Sequence, residues 1–143
     1  MHPSLTGLLV AGAAVGAATV LGLLWRARDG RVRPASGNAP HVLAGLGVEP
    51  GGPVTLLQFS SLYCAPCRVA RAVCADVAAS VRGVRHVEVD ADRHLDAARE
   101  LHVRRTPTVL VVDAAGNVVG RAVGAPSRDA VLAAVTDAGR LPR

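Results

Sequence analysis

Apolar positions follow three different patterns along this chain. From Leu5 to Trp25 they are almost continuous, made of Leu, Val, Ala and Gly with two threonines, and no ionisable side chain stands between His2 and Arg26. From Asp29 to Pro53 they are broken up by Gly, Ser, Arg and the prolines at 34, 40, 50 and 53. That stretch reads as a linker, with His41 to Leu46 as a short strand or helical turn inside it. From Val54 onward apolar runs of strand length alternate with stretches at helical spacing. They predict strand Val54–Ser60, helix Pro66–Val81, strand Val84–Asp90, helix His94–Leu101, strand Thr108–Val112, strand Val118–Val123 and helix Ser127–Ala138.

The alternation constrains the topology. A helical crossover between the first two strands makes them parallel and right-handed. Asp113 to Asn117 is too short for a crossover, so the last two strands form an antiparallel hairpin. Ser127 suits the N-cap of the closing helix, with Asp129 in its first turn. The expected class is α/β, a mixed central sheet with helices on both faces, divided as 1–28 anchor, 29–50 flexible linker and 51–143 folded domain.

The first segment is long enough to cross a bilayer, since its 21 residues at about 1.5 Å each span roughly 30 Å. Trp25 suits the interface, and Arg26, Arg28, Arg31 and Arg33 follow at once. A secretory leader would want basic residues before the apolar run and small residues at a cleavage site, and neither is found, so an uncleaved single-pass anchor is the reading. The arginine flank places the folded domain on the cytoplasmic side of the cell membrane by the positive-inside rule, with the outward-facing orientation as the alternative.

Composition adds little that is specific. Half the residues are hydrophobic, but Trp, Tyr and Phe occur once each, so the core must be built from Val, Leu and Ala. All sixteen basic residues are Arg, and the net charge is +5. It is spread along the chain, with four arginines against Asp29 and Glu49 in residues 1–49. No interleaving of aromatic and basic residues marks a nucleic-acid surface.

The chemistry lies in Cys64-Ala65-Pro66-Cys67, placed where a strand hands over to a helix. Pro66 fits the first helical turn, where a missing N–H costs nothing. Free N–H groups and the positive end of the helix dipole favour a thiolate at Cys64. That thiolate can attack a disulfide, and Cys67 can then resolve the mixed disulfide. Half of a zinc site has the same spacing, but it needs a second ligand pair, and the chain has no other CxxC, HxH or HxxxH. Cys74 is left over, read as a small buried apolar residue.

In this order the motifs resemble the thioredoxin family from about Val54 to Ala138. The redox motif follows a strand containing Phe59. Thr106-Pro107-Thr108 is similar to the family's cis-proline loop, the hairpin lies at Asp113–Asn117, and Gly124 follows the next strand. The resemblance implies a thioredoxin-like fold and a protein-disulfide oxidoreductase with Cys64 attacking and Cys67 resolving. It implies a substrate surface of Tyr63, Ala65, Pro66, Thr106 and Pro107, with a cis Thr106–Pro107 bond leaving the Thr106 backbone open to an extended client.

No bound cofactor is implied, because the dithiol stores the electrons. The implied partners are disulfide-containing or dithiol client proteins, with an electron donor such as a thioredoxin reductase. Tyr63 stands where the family carries Trp, Ala65 where Gly is common, Ala72 where a kink proline is usual, Gln58 at the buried acid and His86 at a frequent lysine. Gln58, Arg68 and His86 are therefore the expected tuning residues. If Gln58 points inward, the proton of Cys67 must leave by water or another group. The alternative from another class is a non-catalytic binding module of the same fold; an outward-facing disulfide reductase or isomerase is the alternative among enzymes.

Overall fold

The computed structural model describes residues 3–140. Helix α1 (Pro3–Arg28) is followed by β1 (Val32–Gly37), α2 (Pro40–Gly45), β2 (Val54–Ser60), α3 (Ala65–Ser80) and β3 (Val84–Asp90). Then come α4 (Leu95–Glu100), β4 (Thr108–Val112), β5 (Val118–Val123) and α5 (Arg128–Arg140). From Val54 on, the elements match the alternation of apolar runs. The five strands are ordered β1-β5-β4-β2-β3, with β2 and β3 parallel and every other neighbouring pair antiparallel.

Central strand β2 is buried along its whole length, and its alternating side chains supply two cores. Leu57 and Phe59 pack with Leu110, Val112 and Val118 beneath α2 and α4. On the opposite face, Leu56 packs with Val109, Val111 and Ala122 beneath α3 and α5. Helix α3 buries Cys67, Ala70, Cys74 and Val77, one stripe at helical spacing. With a single phenylalanine, the core relies on many mid-sized side chains. Fully burying each Leu or Val contributes about 1.5–3 kcal/mol.

Residues 29–50 correct the linker expectation. Val32 to Gly37 form an edge strand paired with β5, and Pro40 opens a helix whose Leu43 is completely buried, alongside Ala39, Leu46 and Val48. The prolines misled for a physical reason. Pro34 lies on an edge strand, where a missing ladder donor is tolerated, and Pro40 occupies the first helical position. The entry into β1 is tight: Gly30 has φ +75° and donates to the Val123 carbonyl at 2.7 Å, and a Cβ there would come within 2.1 Å of the Ala125 carbonyl oxygen. The folded domain therefore begins directly after α1.

From Leu5 to Arg28 helix α1 is exposed, and over that stretch it is long and apolar enough to cross a membrane, a test a leader sequence also passes.

Candidate functional site

Strand register explains why distant residues meet. In the β2–β4 ladder Phe59 lies opposite Thr108, so the end of β2 and the start of β4 share one rim of the sheet. The loop carrying Cys64 leaves that rim, and the loop carrying Thr106 and Pro107 enters it. Their side chains join where Ser61 Oγ and Thr106 Oγ1 lie 3.0 Å apart. The Thr106–Pro107 peptide is cis, and the Pro107 carbonyl accepts from Gly124 N–H at 2.8 Å. Gly124, at φ +90°, is the residue that lets β5 turn away there.

Cys64 is the N-cap of α3, its Sγ accepting from the Cys67 N–H at 3.2 Å. Ala65 and Pro66 form the first turn as expected. The two cysteines are joined as a disulfide, and they differ in access: Cys64 is half-buried, whereas Cys67 is 2% exposed. Tyr63 is 96% exposed beside them. Arg68 is exposed on α3 and forms no ion pair among the described residues.

Beneath Cys67 lies a polar network that runs from buried Gln58 and Ser60 out to the partly exposed Glu88 and exposed Arg71. Gln58 is wholly buried and donates through Nε2 to the Cys67 carbonyl at 3.0 Å and to Ser60 Oγ at 2.8 Å. Ser60 Oγ in turn donates to Glu88 Oε1 at 2.6 Å. Arg71 closes a two-pronged pair on the same carboxylate, Nε to Oε2 at 2.6 Å and Nη2 to Oε1 at 2.8 Å. On the other side Gln58 Oε1 is 3.0 Å from His86 Nε2. Since Oε1 can only accept, His86 Nε2 carries the proton.

The electrostatics follow from these contacts. Hydrogen bonding from Arg71 holds the Glu88 carboxyl below its ordinary range, against the opposing effect of burial. Burial lowers the His86 pKa. Burial, reinforced by the Glu88 charge, pushes the Cys74 thiol up to about 12, which leaves it protonated and inert. Among the described residues no cluster of three or more His, Cys, Asp or Glu offers a metal site.

The structure thus brings Gln58 and His86 together under Cys67, and leaves Arg68 apart. Sequence reasoning missed Ser60, Arg71 and Glu88. The signal was available in the alternation. Gln58 and Ser60 share one face of β2, His86 and Glu88 share the same face of β3, and Gln58 pairs with Glu88 in register. Four polar residues at strand spacing on a helix-covered face require one another as partners.

A family model described as Thioredoxin matches residues 48–137. Among curated relatives, Thioredoxin H2-1 of rice (Oryza sativa subsp. japonica) is 33% identical over 72 residues, 50% of this chain and 51% of the relative. Thioredoxin H4-1 of the same plant is 30% identical over 88 residues, 60% of this chain and 66% of the relative. The chain therefore spans between half and two thirds of these relatives. Of solved structures, oxidised mitochondrial thioredoxin 3 of Saccharomyces cerevisiae superposes with a TM-score of 0.54 at 24% identity. That match covers 60% of this chain and 79% of the yeast one, a likeness of fold.

Proposed function

The chain belongs to the thioredoxin family of thiol–disulfide oxidoreductases, and from that premise we propose that it is a membrane-anchored protein-disulfide reductase in which Cys64 attacks and Cys67 resolves. The observation that carries the assignment is the difference in access between the sulfurs: Cys64 is reachable at the helix cap, and Cys67 is buried behind it.

The reduced Cys64 thiolate attacks one sulfur of a client disulfide, breaking that bond, forming a mixed disulfide and releasing the first client thiolate, which takes up a proton. Cys67 loses its proton and attacks Cys64 Sγ, which restores the Cys64–Cys67 disulfide and releases the second client thiolate. Two electrons pass from the dithiol to the client. A dithiol donor such as a thioredoxin reductase must reload the pair.

Exposed Tyr63 and the Thr106–Pro107 rim supply the docking surface, Tyr63 as a flat apolar contact and the Thr106 backbone as a partner for extended chain. Because Gln58 cannot ionise, the charge beneath Cys67 is that of Glu88, relayed through Ser60 and Gln58, while Arg71 holds it in place. Helix α1 serves as a retained anchor, and the arginines after it favour the cytoplasmic side.

Insulin reduction by the full chain in detergent tests the enzyme. We expect turnover that Cys64→Ser abolishes, and a trapped mixed disulfide with Cys67→Ser. A reducible but inactive pair would support a binding module instead. Labelling of Cys64 by an impermeant maleimide, in a Cys67→Ser, Cys74→Ser background, tests the side of the membrane. Labelling only after lysis fits the cytoplasmic face, and labelling of intact cells overturns it.

A further inference from the structure

A cleft of about 750 Å³ opens at the β1–β5 edge of the sheet where the chain leaves α1. Arg28, Arg31, Arg33, Arg104, Arg105 and Arg121 line it, with Asp29 as its single acid. Asp29 is already paired with Arg105. Among the described residues Arg28, Arg31, Arg33 and Arg104 form no ion pair. Arg121 forms the floor, half-buried, donating to the carbonyls of Leu101 at 2.6 Å and His102 at 3.3 Å at the end of α4.

The strand register makes this grouping costly. Arg33 and Arg121 are direct cross-strand partners, and both line the same cleft. Like charges placed opposite each other destabilise an antiparallel pair, and concentrating several more around them raises the positive potential further. An anion in the cleft removes that cost. Guanidinium groups, planar and two-pronged, match phosphate oxygens in particular.

We propose that this cleft receives the phosphate headgroup of an anionic membrane lipid. The choice of a lipid over a soluble phosphate comes from what adjoins the cleft. Arg28 is both its rim and the last residue of α1, and just above it Leu21, Leu24 and Trp25 present exposed apolar surface. A cationic hollow continuous with an apolar column has the polarity of a phospholipid, phosphate at one end and acyl chains along the other. The proposal rests on reading α1 as a retained anchor, which places the cleft at the level of the headgroups.

Thermal melting of the full chain in neutral detergent micelles, with added phosphatidylglycerol or phosphatidylcholine, tests it. Phosphatidylglycerol is expected to raise the melting temperature saturably and phosphatidylcholine to leave it unchanged. Arg31→Gln and Arg33→Gln should each weaken phosphatidylglycerol binding about fivefold. Without lipid, Arg33→Gln should melt at or above the parent, because it relieves the repulsion with Arg121, so a lost lipid response is not a lost fold.

Equal responses to the two lipids, or an undiminished response when Arg31→Gln and Arg33→Gln are combined, overturn the proposal. So does stabilisation by inorganic phosphate or by polyglutamate equal to that by phosphatidylglycerol, which would assign the cleft to a solute or to an acidic protein segment. Carbonate extraction of cell membranes tests the anchor separately: a chain released by carbonate yet selective in micelles fails the anchor, and a chain retained yet indifferent to headgroup fails the cleft.

Discussion

Gln58 Nε2 and the Cys67 carbonyl are 3.0 Å apart, so the backbone of the buried cysteine is fastened to β2 by a side chain that carries no charge. The same amide reaches Ser60 and His86, and through Ser60 the Glu88 carboxylate. Removing the amide should therefore cost stability more than charge. Gln58→Leu keeps the volume but leaves the half-buried His86 imidazole N–H without its acceptor and strips the Cys67 carbonyl of the bond it accepts beyond its helical one, an expected loss of about 1–3 kcal/mol. A denaturation midpoint equal to that of the parent would show that these groups find other partners.

Glu88 gives acid stability a specific source. Its folded pKa is depressed by Arg71, so its contribution is complete above the ordinary carboxyl value of 4.5 and is lost as pH falls through the folded value below that. Glu88→Gln should cost about 1 kcal/mol at neutral pH, a figure reduced for solvent screening of a partly exposed pair. The difference from the parent should shrink as pH falls below 4.5. A difference that stays constant with pH would assign the loss to packing rather than charge.

His86 acts at a higher pH. Burial depresses its pKa below the ordinary 6.5, so the neutral ring is the form the fold favours, and that stability declines as pH falls from 6.5 through the folded value. His86→Gln should flatten the stability profile just below pH 6.5, by up to about one proton's slope. Superimposable profiles for parent and variant in that window would contradict the burial seen here.

The three cysteines should separate sharply toward iodoacetamide after reduction. Cys64 at the helix cap is expected to alkylate at pH 8, while Cys74, fully buried with its thiol pushed up to about 12, stays unmodified until denaturant is added. Peptide mapping that finds Cys74 labelled as fast as Cys64 would mean that α3 opens far more readily than its packing allows.

Gly30→Ala probes the start of the domain. The new methyl would meet the Ala125 carbonyl oxygen at a φ of +75°, so a loss of more than about 1 kcal/mol and a melting point lower by several degrees are expected. An unchanged melting point would indicate that β1 contributes nothing to the cooperative unit.

Most of the fold was legible because β2 to α5 each show one clear period. The redox loop was legible because CxxC stood at a strand-to-helix change and Thr106–Pro107 at the head of another strand. β1 was not, and α2 was read only as a short strand or helical turn at His41 to Leu46, because Pro34 and Pro40 read as breakers until the edge position and the helix start are known. Gln58 and His86 were picked out only as departures from a family pattern. Glu88 escaped, since its meaning depends on the parallel register that sets it beside Gln58.

The tight turn at Gly30 has a consequence for reach. A flexible segment of residues 29–50 would let the redox site wander over about 25 Å around its anchor. Those residues are instead spent inside the sheet and the core, and only Asp29 to Arg31 separate the last turn of α1 from the first strand. On the proposed reading of α1 as a retained anchor, Cys64 would be mounted at a fixed height, like a tool on a short shank, and would work only on disulfides that diffuse or are delivered to that level above the membrane.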